Sequence, residues 1–239
     1  VKVATLAGDG LPIPQHVMNL GETPYEIIER CCRYSALLAY DDVDGNLVMS
    51  QVGSFTHASG FVQGVNVQEA NVTFGMDERF SVYIAAYTTT DLLGIPGGTN
   101  GNRPATVQDP TVPRFRPRAI VSEQVQAGQS LAALRANWEM ARRYGRSQSV
   151  RLVCDSWRDS GGSLWTPNAL ARISLPSLKL TPVDPWVISE VSYIRDAERG
   201  TIAELTLMPP QAFTPEPGLQ FPFEWQVAQD LGIGGHATP

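Results

Sequence analysis

The 239-residue sequence predicts an α+β fold that is predominantly β, on three observations. Only two segments, one opening at Thr23 and one at Ser130, join apolar residues at helical spacing to helix-start chemistry. Elsewhere apolar and polar residues alternate at period two between clusters of Gly, Pro, Asp and Asn, as half-buried strands require. A hydrophobic fraction of 43% in a chain of this length can bury a sizeable core, as one large domain or two smaller ones.

The first helix is written in "LGETPYEIIERCCRYSALLAY". Thr23 supplies a cap, Pro24 fits the first helical position, and Glu26 stands where a capping box needs its carboxylate. Ile27, Cys31, Tyr34 and Leu38 recur at helical spacing and form the expected buried stripe. Two strands follow, joined at Asp44-Gly45-Asn46, whose residues tolerate the positive φ of a tight turn. Together these make a small α+β domain over 1–77.

From 78 to 211 the pattern is that of strands with an inserted helix, which suits a barrel or a sheet. In "RFSVYIAAYT", Phe80, Val82, Ile84 and Ala86 alternate with Ser81, Tyr83 and Ala85. Asp91 to Pro113 is rich in Gly, Pro, Asn and Thr and reads as a long loop, the kind that is disordered or functional. A strand enters through Pro117, and a helix runs from a Ser130 cap to Gly145 with Leu131, Leu134, Trp138 and Ala141 inward. "SVRLVCDSW" and "ALARISLPSL" then flank a turn, and "WVISEVSYIRD" and "TIAELTLMP" flank "AERG" as a hairpin. The last segment, 212–239, is an extended tail whose prolines block regular structure and whose Phe221, Phe223 and Trp225 either contact a partner or fold back on their own domain.

Charge and composition exclude several roles. A formal charge of −6 argues against a protein that neutralises nucleic-acid phosphates. No run approaches the ~20 apolar residues of a membrane helix, and the N-terminus has no signal-peptide pattern, so a soluble protein without stable membrane insertion is expected. Three cysteines, Cys31 and Cys32 being adjacent, make no disulfide framework and suit a reducing compartment.

"SWRDSGGSLW" poses the sharpest chemical question, because Asp159-Ser160-Gly161-Gly162 resembles the nucleophile loop of trypsin-like serine proteases. The order His57, then Asp91 or Asp109, then Ser160 matches that family. Against it, Arg158 stands where the family places the Gly of its oxyanion hole, and His57 lies in "SFTHASG" without the family's surroundings. A β-hairpin turn with Gly161 and Gly162 at positive φ explains more of the residues, and Ser160 is then a turn residue. "GGTNGNR" lacks the Lys-Ser/Thr ending of a phosphate loop, and Asp41, Asp42 and Asp44 lack the spacing of a calcium loop. His16, His57 and His236 are scattered, so no metal, cofactor or catalytic residue is nominated.

Over most of its length the sequence resembles the baseplate hub proteins, or tail protein P, of Mu-like contractile-tailed phages and prophages. The resemblance is carried by "ETPYEIIERCCRYSALLAYDDVDGNLVMSQVG", "RFSVYIAAY", "RFRPRAIVSEQ", "ALRANWEMARRYGRSQSVRLVCDSWRDSGGSLWTPNALARISLP" and "WVISEVSYIRDAERGTIAELTLMPPQAF", many weak matches in register rather than one motif. It implies a β-barrel-like tube domain at 78–211 and a homotrimer forming a pseudo-sixfold ring that adapts a hexameric tail tube to a trimeric spike. The implied partners are the tail tube protein, the central spike protein and other baseplate proteins, with DNA passing through the lumen without specific binding. The implied location is the virion tail, assembled in the host cytoplasm. Because the matched region starts at Val1, the family's first tube domain, or much of it, is expected to be missing.

Such a ring buries aromatic and Arg anchors, for which Arg116, Arg118, Trp157, Trp165 and Trp186 are candidates beside Phe221, Phe223 and Trp225. Each of the five has an alternative as intradomain core or as part of a surface ion pair. Two rival functions remain open: a tail-associated cell-wall hydrolase, and a module that binds host glycans through exposed aromatics.

Overall fold

The computed structural model describes residues 2–8, 13, 16, 18–88, 102–121, 128–181 and 184–216. Asp91, Phe221, Phe223 and Trp225 therefore lie outside the described residues, as does the tail beyond Glu216.

From the N-terminus the chain forms β1 (Val3–Thr5), α1 (Pro24–Tyr34), β2 (Leu38–Asp41), β3 (Leu47–Ser50), β4 (Phe55–Thr56), β5 (Phe61–Val62) and β6 (Val67–Phe74). There follow β7 (Val82–Thr88), β8 (Asn102–Gln108), β9 (Pro117–Val121) and α2 (Gly128–Arg146). The remainder is β10 (Gln148–Cys154), β11 (Ala169–Ala171), β12 (Ile173–Ser174), β13 (Trp186–Asp196) and β14 (Gly200–Met208). Strand dominates and helix is the minority, so the fold is α+β and mostly β. No helix among the described residues is long and apolar enough to cross a membrane.

The chain divides into two compact units. One comprises 1–49, 80–140 and 215–239; the other comprises 50–79 and 141–214.

In the first unit, the capping box forms as its residues dictate. The Thr23 hydroxyl accepts from the Glu26 N–H at 3.3 Å while the Glu26 carboxylate accepts from the Thr23 N–H at 2.7 Å. Helix α1 stops at Tyr34 because Ala36 turns left-handed (φ 54) and the N–H groups of Ala36 and Leu37 close on the carbonyls of Arg33 and Cys32. Leu38 is thereby in β2, not on the helix, and the buried positions are Cys32 and Leu37 in place of the expected Cys31 and Leu38. Beyond β2 the Asp42 carboxylate accepts from the Asp44 and Asn46 N–H groups, each at 2.9 Å, and Gly45 has φ 75. Those bonds, the Asn46 N–H foremost, pull the Asp42 carboxyl below its ordinary value.

The same unit holds a three-stranded sheet of order β8-β7-β9, with β8 antiparallel and β9 parallel to β7. Strand β8 lies inside the segment expected to be a loop. Pro104 hid it, since proline argues against a central strand; β8 is an edge strand, where the missing N–H costs no ladder bond. The buried face of β7 is also the opposite of the expected one. Tyr83 and Ala85 are fully enclosed against Ala105, Ala132 and Ala136, because small residues let α2 come close to the sheet. Helix α2 starts at Gly128, ahead of Ser130, and the side chains of 128–131 lie outside the described residues. Its inner face is carried by Ala132 and Ala136 with Met140 packed beside them; Trp138 is buried on another side of the helix, and Leu134 is 56% exposed.

In the second unit a six-stranded sheet runs β4-β11-β13-β14-β10-β6. The order is open, so the expected barrel does not close. Its edges are β4, two residues long, and β6, eight residues long, which leaves β4 too short to complete a ladder with β6. Strands β13 and β14 form the hairpin expected around "AERG", with Asp196 opposite Gly200. The core packs Phe61, Trp165 and Ile188 with Val150, Leu152, Leu205 and Leu207. The expected hairpin of β10 with the strand after Leu164 does not form. β10 pairs with β14 and β6, β11 pairs with β13 and β4, and only an isolated Arg158 to Leu164 bridge closes the turn between them.

Candidate functional site

The turn that closes over this bridge is organised by a buried His57–Asp159 hydrogen bond. Parallel pairing of β4 with β11 leads the chain into His57, whose N–H donates to the Leu170 carbonyl at 2.9 Å. The imidazole enters the space beside Trp165 and Phe55, with ring centroids at 4.7 and 5.2 Å. There Nδ1 lies 3.0 Å from the Asp159 carboxylate, the two side chains being 0% and 3% exposed. Asp159 also accepts from the N–H groups of Ala58 at 3.1 Å and of Gly161 and Ser163 at 2.9 Å. Burial pushes the Asp159 carboxyl up, but hydrogen bonds from His57, Ser163 and Ala58 outweigh it, and the group titrates below its ordinary value.

This geometry does not assemble the trypsin-like arrangement. With Nδ1 donating to Asp159, Nε2 is left as the acceptor, and it faces the Thr166 N–H at 3.5 Å. Ser160 is exposed, and its N–H donates to the Ser59 hydroxyl at 3.0 Å. Asp109 belongs to the other unit and accepts from the Thr111 N–H at 3.0 Å. Asp159, next to Ser160, is the partner that sequence reasoning missed; it sits 102 positions from His57, and only its place in the suspect motif marked it. Gly162 carries the positive φ of the turn (85°), and Gly161 does not. We expect Ser160→Ala to leave folding and assembly unchanged within about 0.5 kcal/mol, as measured by thermal melting and by incorporation into tails. No group of three or more His, Cys, Asp or Glu among the described residues could hold a metal ion.

The nominated contact residues are placed as follows. The Arg116 and Arg118 guanidinium groups lie 4.7 and 5.2 Å from the Phe80 ring, and Arg118 Nε is 3.2 Å from the Glu139 carboxylate. Trp157 is half-buried and donates from Nε1 to the Ile202 carbonyl at 2.7 Å, with its ring edge-on to Tyr193. Trp186 is half-buried against the core of the second unit. Trp165 has no exposed surface; its ring packs on Phe61 at 4.5 Å and its Nε1 donates to the Ser156 carbonyl at 3.0 Å.

Comparison with known proteins adds what geometry alone does not supply. Residues 128–216 match the fourth domain of the Mu phage baseplate assembly protein GpP, and residues 1–51 match the second domain of gp44-like baseplate hub proteins. The baseplate hub protein gp44 of Escherichia phage Mu is 28% identical over 204 residues, which is 84% of this chain and 53% of the Mu protein. The 43 kDa tail protein of prophage MuSo2 from Shewanella oneidensis superposes with a TM-score of 0.74 at 27% identity, covering 90% of this chain and 61% of its own. A tail protein from Neisseria meningitidis shares the fold at a TM-score of 0.68 and 16% identity, covering 90% of this chain and 64% of its own. The chain thus spans roughly half to two thirds of these relatives. With a second-domain and a fourth-domain match in hub order along one polypeptide, and a Mu-like prophage tail protein sharing its fold, this chain belongs to the family of Mu-like baseplate hub proteins.

Proposed function

We propose that the chain is a structural subunit of a contractile-tail baseplate, acting by assembly and not by catalysis. In this reading three copies form a pseudo-sixfold ring that adapts the hexameric tail tube to the trimeric spike, with a lumen that passes DNA without gripping it. The hub-domain matches support the baseplate role, and the net charge of −6 suits a channel that must not bind phosphates.

The observation that carries the assembly reading is the face of the β8-β7-β9 sheet turned away from α2. Alternation along each strand puts on that face the rows Gln108–Val82–Pro117, Thr106–Ile84–Ala119 and Pro104–Ala86–Val121. None of these residues is charged, in a chain that is 18% charged, and Val121 is 78% exposed. A contiguous face of this character marks an interaction surface. A neighbouring subunit in the ring would cover it, and Arg116, Arg118, Trp157 and Trp186 retain surface for further contacts.

Val121→Glu tests this with little risk to folding. Its side chain is already in solvent, so we expect the melting temperature of the free protein to hold while incorporation into tails is lost. Cryo-electron microscopy of the chain co-expressed with its neighbouring tail proteins tests the symmetry directly. Three copies between a sixfold tube and a threefold spike are expected, and a monomer off the tail axis would overturn the reading.

A further inference from the structure

Each unit also presents charged side chains that make no ion pair among the described residues, and the two sets are of opposite net sign. In the first unit, a loop bounded by Pro113 and Pro117 carries Arg114 and Phe115, both exposed, Phe115 at 78%. Among the described residues Arg114 makes no ion pair and Phe115 no ring contact. The loop is stiffly held from beneath. The Ser81 N–H donates to the Arg116 carbonyl at 2.9 Å, the Arg116 N–H donates to the Ser81 hydroxyl at 2.7 Å, and Arg116 lies over Phe80. On its upstream side the Val112 N–H donates to the Asp109 carbonyl at 3.3 Å, and Val112 is buried. An Arg and an aromatic displayed on a pre-ordered loop match the residue types that anchor interfaces, and they lose little entropy when they dock.

In the second unit, the polar face of the six-stranded sheet forms a shallow cleft lined by Glu69, Asn71, Arg151, Glu190, Glu204 and Thr206. Register places Arg151 between Asn71 and Thr206, and Thr206 opposite Glu190. Glu204 pairs with Arg199 at 3.0 Å. Among the described residues Glu69, Glu190 and Arg151 make no ion pair, so the cleft holds two uncommitted carboxylates beside one uncommitted guanidinium.

We propose that the Pro113–Pro117 loop of one copy seats in this cleft on the next copy, with Arg114 against Glu190 and the Phe115 ring over the Arg151 guanidinium. The inference rests on the ring reading, since it names the contact through which copies of this chain meet. Charge complementarity favours a second copy as occupant: the cationic anchor and the acidic cleft are on the same polypeptide but in different places. Such a contact is heterologous, each copy donating its loop to one neighbour and its cleft to the other, which is the arrangement that generates rings. Opposite charges across the contact steer the approach and fix the register, and salt weakens them.

The test is the self-association of the full chain, followed by sedimentation velocity over a concentration series at low and high salt. Arg114→Glu and Glu190→Arg should each weaken association by about tenfold or more with no change in melting temperature. The double variant, which restores opposite signs across the contact, should recover it. If Arg114→Glu associates like the wild type, this contact is overturned while the ring stands. Loss in both single variants without recovery in the double overturns the pairing of these residues. A wild-type chain that stays monomeric throughout overturns the contact and the ring reading together.

Discussion

Trp165→Ala lowers the stability of the free protein by about 3–5 kcal/mol, the range for removing a fully buried large aromatic. The indole is enclosed between Phe61 and the His57 ring. Its Nε1 donates to the Ser156 carbonyl, while the Trp165 backbone N–H donates to the Trp157 carbonyl at 3.0 Å and the Trp165 backbone carbonyl accepts from the Tyr193 hydroxyl. Truncation leaves a cavity beside a buried imidazole and strands the Ser156 carbonyl, so transfer and cavity losses add. In a domain of this size the melting temperature should fall by roughly 10 °C. The measurement separates a core residue from an assembly contact. Loss of stability in the free chain assigns Trp165 to its own unit, whereas an unchanged melting temperature with failed tail assembly would assign it to the interface.

Asp159→Ala is the second large effect, about 2–4 kcal/mol. It leaves the His57 Nδ1–H and the N–H groups of Ala58, Gly161 and Ser163 without their acceptor. The effect depends on pH with a definite sign. The folded Asp159 carboxyl titrates below its unfolded value near ~3.9, so its contribution is fully present above that pH and is lost as pH falls through the lower folded value. Chemical denaturation of wild type and variant should therefore show a constant gap at neutral pH that narrows once pH drops below about 4. Taking the difference between the two proteins removes the parallel acid titration of Asp42 and Asp196, which are also lowered. A gap unchanged down to the acid limit would mean that the carboxylate is not what holds the turn.

Local chemistry was readable where a few adjacent residues decide the outcome. Thr23, Pro24 and Glu26 determine where α1 starts, Asp42 to Asn46 close one hairpin, and the residues around Gly200 close another. The misreadings occur where a distant partner decides. The choice between the two faces of β7 depends on which one α2 covers, and both faces are apolar enough to serve. Pro104 reads as a strand breaker until its strand is known to lie at an edge. Ala132 and Ala136 are weak hydrophobes by type, yet they form the helix face because a close approach excludes larger side chains. The His57 to Asp159 pair joins the two separate segments of the second unit, 102 positions apart, and no local pattern encodes that separation. Family membership was readable for the opposite reason, since many weak matches in order outweigh the absence of any single signature.

The strand order of the six-stranded sheet also sets a timetable for synthesis. Strand β14 is the last strand among the described residues, yet it lies inside the sheet, between β13 and β10, and supplies Ile202, Ala203, Leu205 and Leu207 to the interior. Its neighbour β10 pairs on the other side with β6, far upstream in the chain. A nascent chain that has not yet released Met208 holds β6 and β10 but lacks the strand that joins them to β13 and β11. Contacts of such high sequence separation form late and slowly. The sheet face that carries Arg151 and Glu204 therefore comes into being only once β14 has been made, so a chain terminated before Gly200 cannot offer it to a growing baseplate.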